Sequence, residues 1–155
     1  MTLYKKGNFP VLPNDAGKVL FVAQFQEFFD EGIKKYPGAE LMYVKYTPNA
    51  AERLAAQTRL LNIANNYDTI IYLVPNQASA EVAKALKGTK AKVVVVSALS
   101  PVPVMQGFEW ANSILMCYSY SDFSFRAAFA AIAGDYAPQG VLPLFYQTQN
   151  LQNFN

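Results

Sequence analysis

The stretch Asp68-Thr69-Ile70-Ile71-Tyr72-Leu73-Val74 decides the fold, together with its partner Ala91-Lys92-Val93-Val94-Val95-Val96-Ser97. Each is a short, almost uninterrupted apolar run rich in β-branched residues, which is typical of a strand buried on both faces of a parallel sheet. Between them, residues 78–86 have a helical pattern that Gly88 ends. Because parallel strands need a crossover connection, usually a helix, the three segments predict a βαβ unit.

Further strands and helices extend this unit in both directions along the chain. The patterns predict strands at 18–23, 40–46 and 111–118, and helices at 25–35, 50–65 and 123–133. This alternation predicts an α/β fold, a three-layer sandwich with a mainly parallel, five- to six-stranded, flavodoxin-like sheet and helices on both faces. Right-handed crossovers favour the strand order 2-1-3-4-5, counted along the chain. We expect one domain over 1–155, with an extended lead-in at 1–17 along its surface and a frayed tail at 146–155.

Composition and charge exclude several classes of function. Charged residues make up 15% of the chain, below the ~25% of an average domain, which favours either two buried sheet faces or a surface that lies against another protein. The net charge is +2 and the charges are scattered, so we expect no nucleic-acid partner. The apolar runs are too short to span a bilayer, and no signal peptide is recognisable in this chain, which leaves the compartment of a longer parent open.

The supply of nucleophiles and metal ligands is unusually poor. Histidine is absent, and Cys117 is the single cysteine. These two facts exclude a Cys/His zinc site, a Ser-His-Asp or Cys-His catalytic system and a histidine general base. We therefore expect no metal and no cofactor.

Ligands of such sheets usually bind at the carboxyl ends of the strands, where three loops can be compared. The loop at 23–26 contains no glycine, which argues against the phosphate cradle of a nucleotide or flavin site. The loop at 75–79 carries Asn76, Gln77 and Ser79, whose polar groups could bond a sugar hydroxyl. The alternative is that Asn76 or Ser79 caps the following helix.

The remaining loops offer hydroxyl groups without a base. Ser97 and Ser100 flank the third loop, at 97–101, and capping or turning the chain is their alternative role. Tyr118 and Tyr120 follow the last predicted strand, so their rings could line a cleft or an interface, or could be buried at the strand end. Asn76, Gln77, Ser79, Ser97, Ser100, Tyr118 and Tyr120 are thus the candidate residues for contact with a sugar or a partner.

Carboxylates need separate attention, because two of them suffice for glycoside hydrolysis. Most of the eleven acids fall on predicted exposed helix faces or at helix starts. Glu109 precedes the single tryptophan, Trp110, and such acid–aromatic neighbours occur in sugar sites. A loop position beside the last strand explains the pair equally well, and we predict no catalytic carboxylate.

Taken in order, these landmarks resemble a known family. The resemblance rests on Thr2-Leu3-Tyr4-Lys5, Val11-Leu12-Pro13, Lys18-Val19-Leu20-Phe21-Val22, Asp68-Thr69-Ile70-Ile71, Ser79-Ala80-Glu81-Val82, Lys92-Val93-Val94-Val95-Val96-Ser97 with Ser100-Pro101, Tyr118-Ser119-Tyr120-Ser121, Phe125-Arg126-Ala127-Ala128 with Gly134, and Pro138-Gln139-Gly140-Val141-Leu142-Pro143-Leu144. Over residues 2–145 the chain resembles the C-terminal α/β sandwich domain of family 3 glycoside hydrolases, the β-glucosidases and β-N-acetylhexosaminidases. The closing Pro-x-Gly-x-Leu-Pro element is its most specific part.

The resemblance implies that the chemistry is carried out elsewhere. In that family the nucleophilic aspartate lies in a preceding (β/α)8 barrel, which has no counterpart in this chain. In the β-glucosidase-like branch the acid/base glutamate comes from a long loop after the strand that matches 68–74. Here that loop, 75–79, is short and has no acid, while Glu81 lies within the predicted helix. The departure favours the β-N-acetylhexosaminidase-like branch, in which the barrel supplies the acid/base.

We therefore expect a non-catalytic domain of such an enzyme, which packs on and supports a catalytic barrel in the same or an adjacent chain. The parent would be a β-glycosidase. The alternatives are a stand-alone carbohydrate-binding module that uses the loops at 75–79, 97–101 and 118–121, and a flavodoxin-like module that binds another ligand.

Overall fold

A computed structural model describes residues 1–141 as a six-stranded sheet with helices on both faces. The strands are β1 (Thr2–Lys5), β2 (Val19–Ala23), β3 (Glu40–Tyr43), β4 (Thr69–Val74), β5 (Lys92–Ser97) and β6 (Ser113–Met116). The helices are α1 (Gln26–Lys35), α2 (Ala50–Ile63), α3 (Gln77–Ala83) and α4 (Asp122–Ile132). Short 3-10 turns lie at Pro13–Asp15, Ala64–Asn66, Lys84–Leu86 and Val102–Val104.

The strand order is β1-β6-β5-β4-β2-β3. All strands except β1 run parallel, so the predicted order 2-1-3-4-5 is confirmed for the five parallel strands. At the centre β4 pairs with β5 from Thr69↔Lys92 to Val74↔Ser97, and every side chain of β4 is buried. A strand with helices on both faces has no solvent side, which explains its continuous run of apolar and β-branched residues.

The sixth strand corrects one expectation. Thr2–Lys5 is not part of a lead-in along the surface, because it pairs antiparallel with β6 and forms one edge of the sheet. Its register shifts between Leu3 and Lys5, as at a β-bulge. Four residues are too few for a clear alternating pattern, so the pairing depended on tertiary contacts that the sequence does not display. The tail predicted at 146–155 lies outside the described residues.

Two apolar cores lie on opposite faces of the sheet. Ile70 and Tyr72 face α2 and α3, whereas Ile71 and Leu73 face α1 and α4. The second core is rich in phenylalanine, and α1 approaches it closely because Gly32 has no side chain. A Cβ atom there would lie 2.6 Å from the ring of Phe21.

The predicted elements agree with the structure in type and differ at their ends. Strands β3 and β6 are shorter than predicted, and the helix predicted at 78–86 ends as a 3-10 turn, Lys84–Leu86. A sequence pattern locates the presence of an element better than its ends, and the last turn of a helix is often a 3-10 turn. Within residues 1–141 no helix has the length and apolar content that a membrane crossing would require.

Candidate functional site at the carboxyl edge of the sheet

The carboxyl ends of the five parallel strands meet along one side of the sheet, which we call the carboxyl edge. Its loops are 24–25, 44–49, 75–76, 98–101 and 117–121. The order of the strands reverses between β2 and β4, and in open α/β sheets such a switch point is the usual place for a ligand. All the candidate residues predicted from the sequence lie on this edge or in the first turn of α3.

Asn76 and Ser79 form the start of α3. The Asn76 side-chain oxygen accepts a hydrogen bond from the Ser79 backbone N–H at 3.0 Å, so Asn76 is the N-cap. Its amide Nδ2 donates to the Tyr46 carbonyl at 2.8 Å, which ties the 44–49 loop to this helix. Asn76 therefore caps the helix, which was one of its two predicted roles. Ser79 is fully buried. Gln77 alone of the three is exposed.

A buried polar network surrounds Ser79 at the switch point. The amide Nε2 of Gln24 donates to the Leu73 carbonyl at 3.2 Å and to the Ser79 hydroxyl at 3.0 Å. The hydroxyl of Tyr72 donates to the Ser79 carbonyl at 2.8 Å, and burial raises the pKa of that hydroxyl. These hydrogen bonds link the end of β2 to β4 and α3. They also give partners to polar groups that are buried among apolar side chains.

Gln24 is the residue of this edge that reasoning from the sequence missed. It is 6% exposed, and its oxygen Oε1 is buried without a hydrogen-bond partner among residues 1–141. The sequence could have indicated it, because Gln24 is an amide that directly follows a fully buried strand in a loop without glycine. The buried Gln24 side chain occupies the place where a nucleotide-binding loop has glycine, which supports the exclusion of a phosphate cradle.

The 98–101 loop is closed by its own hydrogen bonds. The Ser97 hydroxyl donates to the Ser100 carbonyl at 3.2 Å, and the Ser100 hydroxyl accepts from the Val102 N–H at 3.3 Å. Leu99 between them has a φ of 61°, in the left-handed region that costs a non-glycine residue energy. Both serines thus make local bonds of the kind expected for a turn.

The two tyrosines after β6 lie in different surroundings. Tyr118, with a φ of 62°, donates its hydroxyl to the Thr2 hydroxyl at 2.8 Å and so holds the edge strand β1. Tyr120 is 53% exposed and stacks on Phe25, with ring centroids 5.4 Å apart and an interplanar angle of 20°. The ring of Phe25 also contacts that of Tyr46, with the centroids 5.7 Å apart. We call Tyr46, Phe25 and Tyr120, which come from three different loops, the aromatic row.

The carboxylates with a clearly shifted pKa do not have the property of a general acid. A general acid needs a raised pKa, whereas the acids with a clear shift, Glu31, Glu40, Glu52 and Glu81, all have a lowered pKa. Hydrogen bonds to cations, hydroxyls or backbone N–H groups cause the lowering. In addition, the five loops of the carboxyl edge contain no aspartate or glutamate.

Glu109 and Trp110 lie at the opposite edge, because they precede β6 rather than follow it. The Trp110 indole N–H donates to the Gly107 carbonyl at 2.8 Å, and its ring packs against Phe108 with the centroids 5.4 Å apart. The Glu109 carboxylate accepts from the Gly107 N–H at 3.4 Å. The pair therefore lies in a turn before the last strand, which agrees with the loop position given as the alternative to a sugar site.

Comparison with known proteins identifies the architecture. Among solved structures, the chain is similar to a glycoside hydrolase family 3 β-N-acetylglucosaminidase from Paenibacillus sp. str. FPU-7, with a TM-score of 0.75 and 17% sequence identity. The likeness covers 92% of this chain and 30% of that chain. This chain has the fold of part of that enzyme. The fold expected from the family 3 resemblance is thereby confirmed. No family model matches the sequence, and no curated protein matches it.

Proposed function

We propose that the chain is a non-catalytic α/β domain of a family 3 glycoside hydrolase-like enzyme, of the β-N-acetylhexosaminidase-like kind. In this role it packs on a (β/α)8 catalytic barrel, in the same or an adjacent chain, and supports it. The likeness to less than a third of a β-N-acetylglucosaminidase chain supports this reading, since the rest of such an enzyme has no counterpart here.

The observation that carries the proposal is the chemistry of the carboxyl edge. Its five loops have no carboxylate, and the loop after β4 is reduced to Pro75 and Asn76 before α3 begins. Glu81 lies inside α3, where Lys84 bonds its carboxylate at 3.1 Å and lowers its pKa. A glycosidase needs both a proton donor and a second carboxylate beside the sugar. The five loops of the carboxyl edge supply neither.

A domain that rests on a barrel needs an apolar surface to do so. Helix α2 buries only Leu60 of its fourteen residues, while Leu54 and Leu61 are 64% and 62% exposed. Leu41 and Tyr43 are also exposed, on the edge strand β3. Surfaces of this kind are typical of contacts between domains. We propose that they include the contact with the barrel.

The test is an assay of the purified chain on aryl β-glucosides and aryl β-N-acetylglucosaminides. We expect no turnover above that of a heat-denatured sample. Turnover that co-elutes with the folded protein and falls in Glu81→Gln or Glu109→Gln would overturn the proposal. Sequencing of the surrounding genomic region is an independent check, because a barrel should be encoded in the same or an adjacent reading frame.

A further inference from the structure

We propose that the edge strand β3 pairs with the β3 of a second copy of this chain, so that the two sheets join across a two-fold axis. This inference goes beyond the supporting role proposed above, because a domain that rests on a barrel needs no second copy. Of the two apolar surfaces named there, it assigns β3 to the second copy and leaves the outer face of α2 to the barrel.

The first argument is that β3 is the open edge of the sheet. The strand order ends at β1 on one side and at β3 on the other. Beside β1, the Gly140 N–H donates to the Met1 carbonyl at 2.9 Å, so a later part of the chain contacts the start of that edge. Beside β3, no backbone group of residues 1–141 is hydrogen-bonded to the outer side of the strand. Another strand can pair with an exposed edge of this kind.

The second argument concerns the direction of the backbone groups in β3. The Val44 N–H donates to the Ala23 carbonyl at the end of β2, at 2.9 Å. Because successive residues of a strand point their backbone groups to opposite sides, Met42 also faces β2, whereas the N–H and C=O groups of Leu41 and Tyr43 point away from the sheet. This spacing suits an antiparallel pair centred on Met42. Leu41 of each copy then exchanges two hydrogen bonds with Tyr43 of the other, which gives four backbone bonds in all.

The third argument is that the same register matches the side chains. Met42 is buried in the core under α2 and α3, so Leu41 and Tyr43 point to the other face of the sheet. There they are 46% and 62% exposed. In the antiparallel pair, the leucine of each copy lies directly opposite the tyrosine of the other. Both apolar surfaces are then removed from water, and contacts with an aromatic ring across two strands stabilise a sheet.

The fourth argument is charge, which favours a second copy of the same strand. An acid, Glu40, begins β3, and a base, Lys45, follows its end. They pair with Lys18 at 3.7 Å and Glu52 at 3.1 Å, yet their side chains remain 52% and 57% exposed. In the antiparallel pair Glu40 of each copy lies beside Lys45 of the other, so opposite charges meet at both ends of the interface. An in-register parallel pair would bring like charges together. The strand is therefore complementary to itself in the antiparallel direction, as a two-fold interface requires.

The experiment is analytical ultracentrifugation of the full chain. The interface is small, so we expect a reversible dimer that forms between about 1 μM and about 1 mM protein. Tyr43→Lys should raise the dissociation constant about tenfold or more, because both cross-strand contacts of the ring are lost. Tyr43→Pro should have a similar effect, since it removes the outward N–H and none of the bonds to β2. Tyr43→Phe keeps the ring and the N–H, so its dissociation constant should stay within about twofold of that of the parent chain.

Two control variants lie outside β3. Tyr120→Lys changes a tyrosine of the aromatic row that is 53% exposed, which matches Tyr43 in residue type and nearly in exposure. Leu54→Lys places a charge on the outer face of α2, the other apolar surface at which two copies could meet. We expect both to leave the dissociation constant within about twofold of that of the parent chain. Thermal unfolding of each variant separates loss of the interface from loss of the fold.

Each outcome supports or overturns the proposal. A dimer that Tyr43→Lys and Tyr43→Pro weaken and both controls preserve supports it. A chain that stays monomeric at about 1 mM overturns it, as does a dimer that Tyr43→Pro leaves unchanged or that a control variant weakens equally. Hydrogen exchange in the parent chain gives a readout without mutation: the Leu41 and Tyr43 amides should exchange more slowly as the protein concentration rises, and exchange that is independent of concentration overturns the proposal. The turnover assay described above is independent, so a dimer without turnover leaves the supporting role intact.

Discussion

Replacement of Asn76 tests whether this residue builds the carboxyl edge or serves a ligand. In Asn76→Ala the α3 N-cap is lost, and the Ser79 N–H loses its acceptor at 3.0 Å. Loss of an N-cap costs about 1 kcal/mol. The bond from Nδ2 to the Tyr46 carbonyl, 2.8 Å long and exposed, is lost as well and adds about 0.5–1 kcal/mol. We therefore expect the free energy of unfolding to fall by about 1–2 kcal/mol.

Two further variants divide this loss into its parts. Asn76→Asp keeps an oxygen acceptor for the cap and places a negative charge at the helix N-terminus, which is favourable. It loses the donor to Tyr46 and brings a carboxylate oxygen near that exposed carbonyl, but it keeps the cap, so it should lose less stability than Asn76→Ala. Gln77→Ala is the control, because Gln77 is exposed and its contact with Glu81 is 3.4 Å long. We expect it to change stability by less than about 0.5 kcal/mol.

Urea denaturation followed by circular dichroism measures all three variants, and thermal unfolding gives a second estimate. For a chain of this length a loss of 1 kcal/mol lowers the Tm by about 2–4 °C. The reasoning is refuted if Asn76→Ala unfolds at the same urea concentration as the parent chain. It is also refuted if the Asp and Ala variants lose equal stability, because the cap would then contribute nothing.

Three further predictions concern the cores. Gly32→Ala should destabilise the protein by about 1–2 kcal/mol, because its Cβ would meet the Phe21 ring at 2.6 Å; equal or higher stability in urea would show that helix propensity outweighs the clash. Arg126, and secondarily Lys34, lower the pKa of the buried Glu31 carboxylate below its ordinary 4.5, so this stabilisation is present above about pH 4.5 and lost as the pH falls through the folded-state pKa. The stability difference from Glu31→Gln should therefore shrink on acidification, and a difference that is constant with pH would contradict this. Burial raises the pKa of the Cys117 thiol to about 12, so a thiol reagent at pH 8 should label it only as fast as the chain opens; immediate labelling of the native protein would contradict its burial.

The central part of the fold could be predicted because its signal is local. Residues 69–74 and 92–97 are buried on both faces, so nearly every position is apolar and the pattern needs no knowledge of neighbours. The parallel strand order then followed from the handedness of crossovers. In contrast, Thr2–Lys5 became a strand only because the far side of β6 was open to it. Its partner lies more than a hundred residues away along the chain.

The candidate site was less predictable, for a related reason. Tyr120 could be named from the sequence because it follows a strand, but its stacking partner Phe25 lies in a loop almost a hundred residues earlier. In the sequence, Gln24 was noticed only as part of a loop without glycine. In the structure its amide links the end of β2 to β4 and α3. Contacts across loops depend on which strands become neighbours, and single-sequence patterns do not encode side-chain pairs of that range.

The direction of each strand decides which of the predicted neighbours can share a site. Glu109 and Trp110 look like a sugar-binding pair in the sequence, yet they precede β6 and therefore lie at the edge opposite Tyr120. The carboxyl edge thus has exposed aromatic rings without a carboxylate. An edge without an acid has no proton donor for a glycosidic oxygen. The direction of the strands therefore leaves the carboxyl edge without an acid, and the non-catalytic role that we propose depends on this absence.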